Sequence, residues 1–213
     1  MKDKIIVTID REYGSGGHDV GKLLAERLGI KFYDDELINI AAKNIGFHED
    51  YVRNNEEKVP NISIMSLFSG GIDSLSNSTF DSIQQAEFDL ITELAKKESC
   101  VIVGRAADYI LKKTKHVSVF LFAPFEDRIE RVKKNSKVYS VTFNGEEVKS
   151  DSEYAKLVKT TDKQRRKYYE FYTDCKWGDR DTYDLLINTH RSGIEGAVDL
   201  IETYLKTSED LNK

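Results

Sequence analysis

The chain has 213 residues, long enough for one α/β core with excursions, and its formal charge of −5 with charged residues of both signs gives no footprint for duplex DNA or an anionic membrane. No apolar run approaches the length of a membrane span, and the N-terminus enters a strand-like run too short for a signal peptide, so a cytoplasmic protein is expected. Cys100 and Cys175 stand far apart in no metal-ligand spacing and read as reduced, structural thiols.

The first apolar run, Ile5–Ile9, predicts a buried strand, and Gly14-Ser15-Gly16-Gly17 follows it directly. Three glycines in four positions let main-chain N–H groups converge on an anion, and the first turn of a following helix adds donors and positive dipole character. That helix is predicted to run to about Leu28, with Val20, Leu24 and Leu28 on one face and Gly29 as its stop. A short strand is expected at Ile30–Tyr33 and a helix over Asp35–Asn44. Phe47–Thr79 is acidic and then rich in Ser, Gly and Asn, and reads as a mobile loop. From Phe80 to Lys97 the apolar residues keep helical spacing and lead into a strand at Cys100–Val103. A further strand is predicted at Val117–Phe122, helices at Phe125–Lys134 and Asp151–Tyr172, a last strand at Asp184–Asn188 and a closing helix at Ile194–Leu205. Between the two middle helices, the alternating Tyr139, Val141 and Phe143 before Asn144-Gly145 suggest a small hairpin, and Thr207–Lys213 reads as a polar tail. β-branched runs alternating with helices argue for a parallel sheet covered by helices.

The glycine turn departs from the G-x-x-x-x-G-K-[ST] pattern. Gly16 and Gly21-Lys22 satisfy part of it, but Leu23 stands where a hydroxyl belongs, and Gly21-Lys22 falls within the amphipathic helix. The helix end Leu24–Gly29 resembles the L-A-E-K-L-G ending found in nucleotide kinases, and counting back from Leu28-Gly29 on that resemblance puts Gly17 at the position of the phosphate-binding lysine, with His18 and Asp19 after it. Charge developing on a transferring phosphoryl group must then be balanced by magnesium and by arginines from elsewhere: Arg11, Arg128, Arg131, Arg165 and Arg166. Asp19 either ligates magnesium as a hard oxygen donor or caps the helix. His18 either bonds a phosphate or stands in solvent.

The segments Asp10–Gly17, Phe32–Leu37, Val101–Arg105, Arg128 with Arg131, Asp162–Arg165, Tyr168-Tyr169 and Tyr183–Leu185, in this order, resemble the cytidylate kinase-like family of the P-loop nucleoside monophosphate kinase group. The resemblance covers nearly the whole chain and is weakest at Phe47–Thr79 and Asn135–Ser150. It implies one domain over residues 1–213 with a three-layer α/β P-loop kinase fold around a five-stranded parallel sheet. An acceptor-binding insertion would occupy about residues 36–97 and a lid about 133–167. It further implies ATP and Mg2+ as donor and cofactor, and a small nucleotide as acceptor. Carried over by position, Gly14, Ser15, Gly16 and Gly17 cradle the donor phosphates, with His18, Asp19 and Arg128 beside them. Asp34 and Arg105 face the acceptor, and Arg131 and Arg165 match lid arginines that close on the transferring group. Arg11 lies outside that match and is a catalytic candidate because the loop lacks its lysine.

Two departures accompany the match. The Gly-Arg-Asp motif reads Gly104-Arg105-Ala106, with Asp108 one turn on as the substitute acid, and Asp34-Asp35-Glu36-Leu37 replaces Asp-Thr-Gly-Ala, so cytosine specificity is not implied. The same residues admit structural readings: Asp34 as a helix cap, Arg128 and Arg131 in a salt-bridged face with Glu126, Asp127 and Glu130, and Tyr168-Tyr169 as packing. The chain is expected to be an ATP-dependent phosphotransferase acting on a nucleoside monophosphate. The alternatives are a catalytically silent nucleotide-binding module and a kinase with a hydroxyl acceptor, for which Asp34 is the natural base.

Overall fold

The computed structural model describes residues 4–34, 77–136, 141–143 and 145–208. Their elements are β1 (Ile6–Arg11), α1 (Gly17–Leu28), β2 (Lys31–Tyr33), α2 (Asn77–Lys97), β3 (Cys100–Val103), α3 (Ala107–Ile110), β4 (Val117–Phe122), α4 (Phe125–Ser136), β5 (Thr142–Phe143), β6 (Glu146–Glu147), α5 (Asp151–Tyr172), β7 (Leu185–Asn188) and α6 (Thr189–Thr207).

Five strands form one sheet in the order β2-β3-β1-β4-β7, and all of its pairings are parallel. The central β1 is hydrogen-bonded on both sides, with Val7 opposite Val101 and Val117. A strand covered on both faces must be apolar at nearly every position, and Ile6, Val7 and Ile9 are at most 3% exposed. On one face Val20 and Leu24 of α1 meet Ala197, Val198 and Ile201 of α6 over the sheet. On the other, Ile91 and Ala95 of α2 pack with Ile6, Ile102 and Leu111. The result is a three-layer α/β architecture of the kind the alternating pattern predicts.

Several boundaries differ from the expectations. Helix α2 begins at Asn77, within the stretch read as loop, because Asn77, Ser78 and Thr79 put no apolar residue ahead of Phe80 to reveal it. Helix α6 opens at Thr189, but Gly193 (φ 69°, ψ −177°) interrupts its geometry, so the apolar periodicity starts only at Ile194. The expected hairpin is present as β5 and β6, with Thr142 opposite Glu147 and Phe143 opposite Glu146, and Gly145 at φ +83° makes the bend. Both cysteines are free thiols, Cys100 buried and Cys175 half-buried. The helix expected at Asp35–Asn44, the loop over 47–76 and the tail beyond 208 lie outside the described residues. Among those described, no helix is long and apolar enough to cross a membrane.

Candidate functional site

The parallel sheet delivers the ends of β1 and β2 to one edge, where ligands bind in folds of this architecture. There a cavity of about 580 Å³ is lined by Arg11 at the end of β1, the turn through Glu12, Tyr13, Gly14, Gly16 and Gly17, then His18, Asp19 and Lys22 of α1. Asp34 follows β2 into the same space, and Arg131, Val132 and Asn135 of α4, Val141, and Arg165 of α5 close it. A volume of this size is ordinary for a small-molecule site.

The turn itself depends on two of its glycines. Gly14 and Gly16 lie at φ +81° and +89°, in the left-handed region. A Cβ on Gly14 would stand 2.7 Å from the Arg128 carbonyl oxygen, and one on Gly16 2.5 Å from Ile194 Cδ1. Gly16 caps α1 with no side-chain hydrogen bond, so no side-chain acceptor occupies the cap of that helix. Asp19 is exposed in the first turn and is not that cap. Ser15 faces inward and is fully buried. Its hydroxyl donates to the Glu12 carbonyl at 2.8 Å, and its own carbonyl accepts from Thr189 Oγ1 at 2.6 Å. The side chain of Ser15 therefore closes the turn from beneath instead of facing the cavity.

Three arginines converge on this space from three elements. Arg131 Nη1 donates to the Gly14 carbonyl at 2.8 Å. Arg165 Nη1 donates to the Arg11 carbonyl at 3.0 Å, and its guanidinium lies 5.4 Å from the Tyr13 ring centroid. Burial, reinforced by the neighbouring Arg11 charge, pushes Arg165 down to about 10, so it remains a cation at neutral pH. Arg11 Nη2 stands 3.3 Å from Asp34 Oδ1, and His18 Nδ1 lies 2.7 Å from Asp34 Oδ2. Burial opposes ionisation of Asp34, but the His18 hydrogen bond and the Arg11 charge outweigh it and hold the carboxyl below its ordinary range. Asp34 thus joins the cavity as an ionised partner of two groups.

Besides Ser15, three of the expected ligand-binding residues are placed outside the cavity lining. Arg128 is 6% exposed and its guanidinium is engaged by the Ala123 and Tyr13 carbonyls, by Glu12 and, at 2.5 Å, by Asp162. Asp162 also accepts from the Tyr13 N–H at 2.7 Å. Arg128 therefore fastens the glycine turn from below and does not line the cavity. Arg105 is drawn away by its backbone. Gly104, Arg105 and Ala106 all have positive φ, which bends the chain sharply before α3, at a cost of about 1 kcal/mol or more for each of the two non-glycine residues. Its buried side chain runs to Glu87 of α2, with Nε 2.9 Å from Oε1, and lies 5.9 Å from the Tyr168 ring.

Asp108 is the third. It is buried and accepts from the Tyr169 hydroxyl at 2.5 Å, in an aromatic cluster with Trp177 and Tyr183. Trp177 Nε1 and the Tyr183 hydroxyl both donate to Asp10 Oδ2, at 2.9 and 3.1 Å. Tyr168 and Tyr169 belong to this packing as well. Burial, then the Asp10 charge, push Asp108 up to about 7 against the Tyr169 hydrogen bond. The folded state therefore holds this proton more tightly than the unfolded chain. The contribution of this group to stability falls as pH rises from about 4 through 7, and Asp108→Asn is expected to remove that fall and to be the more stable protein at pH 8. Urea denaturation of both proteins at pH 5 and pH 8 checks the sign.

Sequence reasoning passed over several cavity residues. Lys22, which falls within the amphipathic helix and outside the glycine turn, lies one turn beyond His18 on the same face and lines the cavity. Arg131 and Asn135 repeat that i, i+4 spacing on α4. Among the described residues no group of three or more His, Cys, Asp or Glu side chains gathers to hold a metal.

The model of the cytidylate kinase-like family matches residues 6–191. The chain is 26% identical to a cytidylate kinase of Pyrococcus horikoshii, over 96% of this chain and 90% of that protein, and 29% identical to one of Archaeoglobus fulgidus, over 92% and 91%. A solved structure from Eubacterium ventriosum matches at TM-score 0.67 and 28% identity, over 96% of this chain and 99% of the other. Shikimate kinase from Bacteroides thetaiotaomicron, at 16% identity and TM-score 0.56 over 95% and 98% of the two chains, shares the fold. With the match spanning both the glycine turn and the arginines around it, the chain belongs to the cytidylate kinase-like family.

Proposed function

We propose that this protein is an ATP-dependent phosphotransferase that moves the γ-phosphoryl group onto a nucleoside monophosphate. The observation that carries this reading is the convergence of Arg11, Arg131 and Arg165 on a cavity whose floor is the Gly14–Gly17 turn. Guanidinium forks suit the oxygens of a phosphoryl group in transit, and they stand on separate elements that fix their directions. The donor phosphates lie on the turn at the start of α1. An acceptor phosphate oxygen forms a bond to the γ-phosphorus, the bond to the β–γ bridging oxygen breaks, and its electron pair leaves with ADP. No strong base is required, because the acceptor is already anionic, and positioning with charge neutralisation carries the rate. Magnesium would be held by the exposed Asp19 carboxylate together with the donor phosphates, a hard-oxygen set that fits an ion which keeps several waters.

A hydroxyl acceptor is the second reading, favoured by the 2.7 Å contact of His18 with Asp34 on the cavity wall. A carboxylate that orients an imidazole is the arrangement of a general base. An assay of ADP release over nucleoside monophosphates and nucleosides separates the two. Turnover on monophosphates that survives His18→Asn supports the first reading. Turnover on nucleosides alone, abolished by that substitution, supports the second. ATP binding with no turnover on any acceptor would leave a nucleotide-binding module. The chain's single tryptophan, Trp177, is bonded to Asp10 beside Arg11, so its fluorescence offers a direct binding signal.

A further inference from the structure

Arg11 occupies a channel that two glycines leave open. Gly17 sits in the first turn of α1, outside the left-handed region, so its backbone admits any residue. Space is what a side chain there would lack: an added Cβ would stand 2.5 Å from Arg11 Cγ and 2.8 Å from Arg11 Cβ. On the other side, a Cβ on Gly104 would overlap an Arg11 guanidinium nitrogen. The arginine stem is therefore laid against one glycine and its head against another, and Asp34 holds the far nitrogen at 3.3 Å.

The register of the turn gives this packing a chemical meaning. In the G-x-x-x-x-G-K pattern the first glycine precedes the lysine by six positions, and the lysine reaches the β- and γ-phosphates. With Gly17 at the lysine position, Gly16 is the second glycine and position 11 is the first, which here is Arg11. A small residue and a cation have exchanged ends of the same turn. Each substitution makes room for the other, because the volume a side chain at 17 would fill is the volume the Arg11 stem fills.

We propose that Arg11 supplies to the donor β- and γ-phosphates the positive charge that the loop lysine supplies elsewhere, and that Gly17 and Gly104 are glycines because they must admit it. This rests on the donor-nucleotide reading above. Arg11 lines the same cavity as Gly14, Gly16 and Gly17, and Arg165, which also lines it, donates to the Arg11 carbonyl at 3.0 Å. The lining carries Arg11, Lys22, Arg131 and Arg165 against Glu12, Asp19 and Asp34, an excess of positive charge that favours a polyanion.

The test is ATP affinity, read from Trp177 fluorescence with magnesium present, in four proteins: the unaltered chain, Arg11→Gln, Gly17→Lys, and the double variant Arg11→Gly with Gly17→Lys. Arg11→Gln keeps most of the side-chain volume and removes the charge. It is expected to weaken ATP about 10- to 100-fold while weakening AMP, which lacks the β- and γ-phosphates, only slightly. Gly17→Lys alone is expected to be damaged by its collision with Arg11. The double variant, which restores the ordinary placement of glycine and lysine, is expected to recover ATP affinity to within a few-fold of the unaltered chain. A merely structural arginine predicts no such recovery. Arg11→Gln binding ATP within twofold of the unaltered chain, or a double variant no better than Arg11→Gln, overturns the exchange while leaving the donor reading intact. Failure of the unaltered chain itself to bind ATP overturns both.

Discussion

Replacing Arg131 with alanine is expected to lower turnover about 100-fold or more while changing ATP affinity only a few-fold. Its guanidinium reaches the cavity from α4, and one of its nitrogens donates to the Gly14 carbonyl at 2.8 Å and lies 3.5 Å from Thr189 Oγ1. An interaction that strengthens as charge spreads over the transferring phosphoryl group is lost from kcat rather than from ground-state binding. Arg131→Lys should recover only part of the loss, because an ammonium supplies charge without the paired donors. Steady-state kinetics beside an ATP titration reads both quantities. Equal losses in kcat and ATP affinity would assign Arg131 to donor binding instead.

Three residues earlier on the same helix, Arg128→Met is expected to do the opposite: to cost about 3–5 kcal/mol of stability, on the order of 10 °C in Tm, with activity lost only through unfolding. Methionine preserves much of the stem volume but abandons the Glu12 and Asp162 carboxylates and the carbonyls of Ala123 and Tyr13 in a site where Arg128 is 6% exposed. A buried ion pair deprived of one member leaves an uncompensated charge, which is far more damaging than losing a surface pair. Urea denaturation gives the figure directly. A loss below about 1 kcal/mol would mean that water reaches those carboxylates and that the turn is held by other contacts.

The contrast between these two arginines shows where the sequence was informative. The sheet was legible because each strand carries its own signature, a β-branched run bounded by turn residues, and because alternation with helices permits few other arrangements. The glycine turn was legible from spacing alone. The direction of an arginine was not. On α4, Arg128 and Arg131 sit among Glu126, Asp127 and Glu130, and helical spacing alone suggests pairing along that surface. In the structure Asp127 pairs with His190 and Glu130 with Lys133, while Arg128 reaches across the fold to Glu12 and Asp162. Those partners lie 116 and 34 residues away in sequence, beyond any local pattern. Arg105 was hidden for a different reason: two consecutive non-glycine residues in left-handed conformations aim it at Glu87, and nothing in Arg105-Ala106 announces such a bend. The packing of Arg11 against Gly17 is hidden in the same way, since a glycine in a sequence does not say what occupies the space it leaves.

The bond from Thr189 to the Ser15 carbonyl joins residues 174 positions apart, and those from Trp177 and Tyr183 to Asp10 span 167 and 173. During synthesis, the first strand and its turn leave the ribosome long before the groups that satisfy them. Until Trp177 and Tyr183 arrive, the Asp10 carboxylate has lost neither its water nor its freedom, and until Thr189 arrives the underside of the turn stays open. The bracing of the turn is therefore complete only after residues 177 to 189 have been made, so a nascent chain stalled ahead of them would carry Gly14, Gly16 and Gly17 and still lack the contacts that hold them in place.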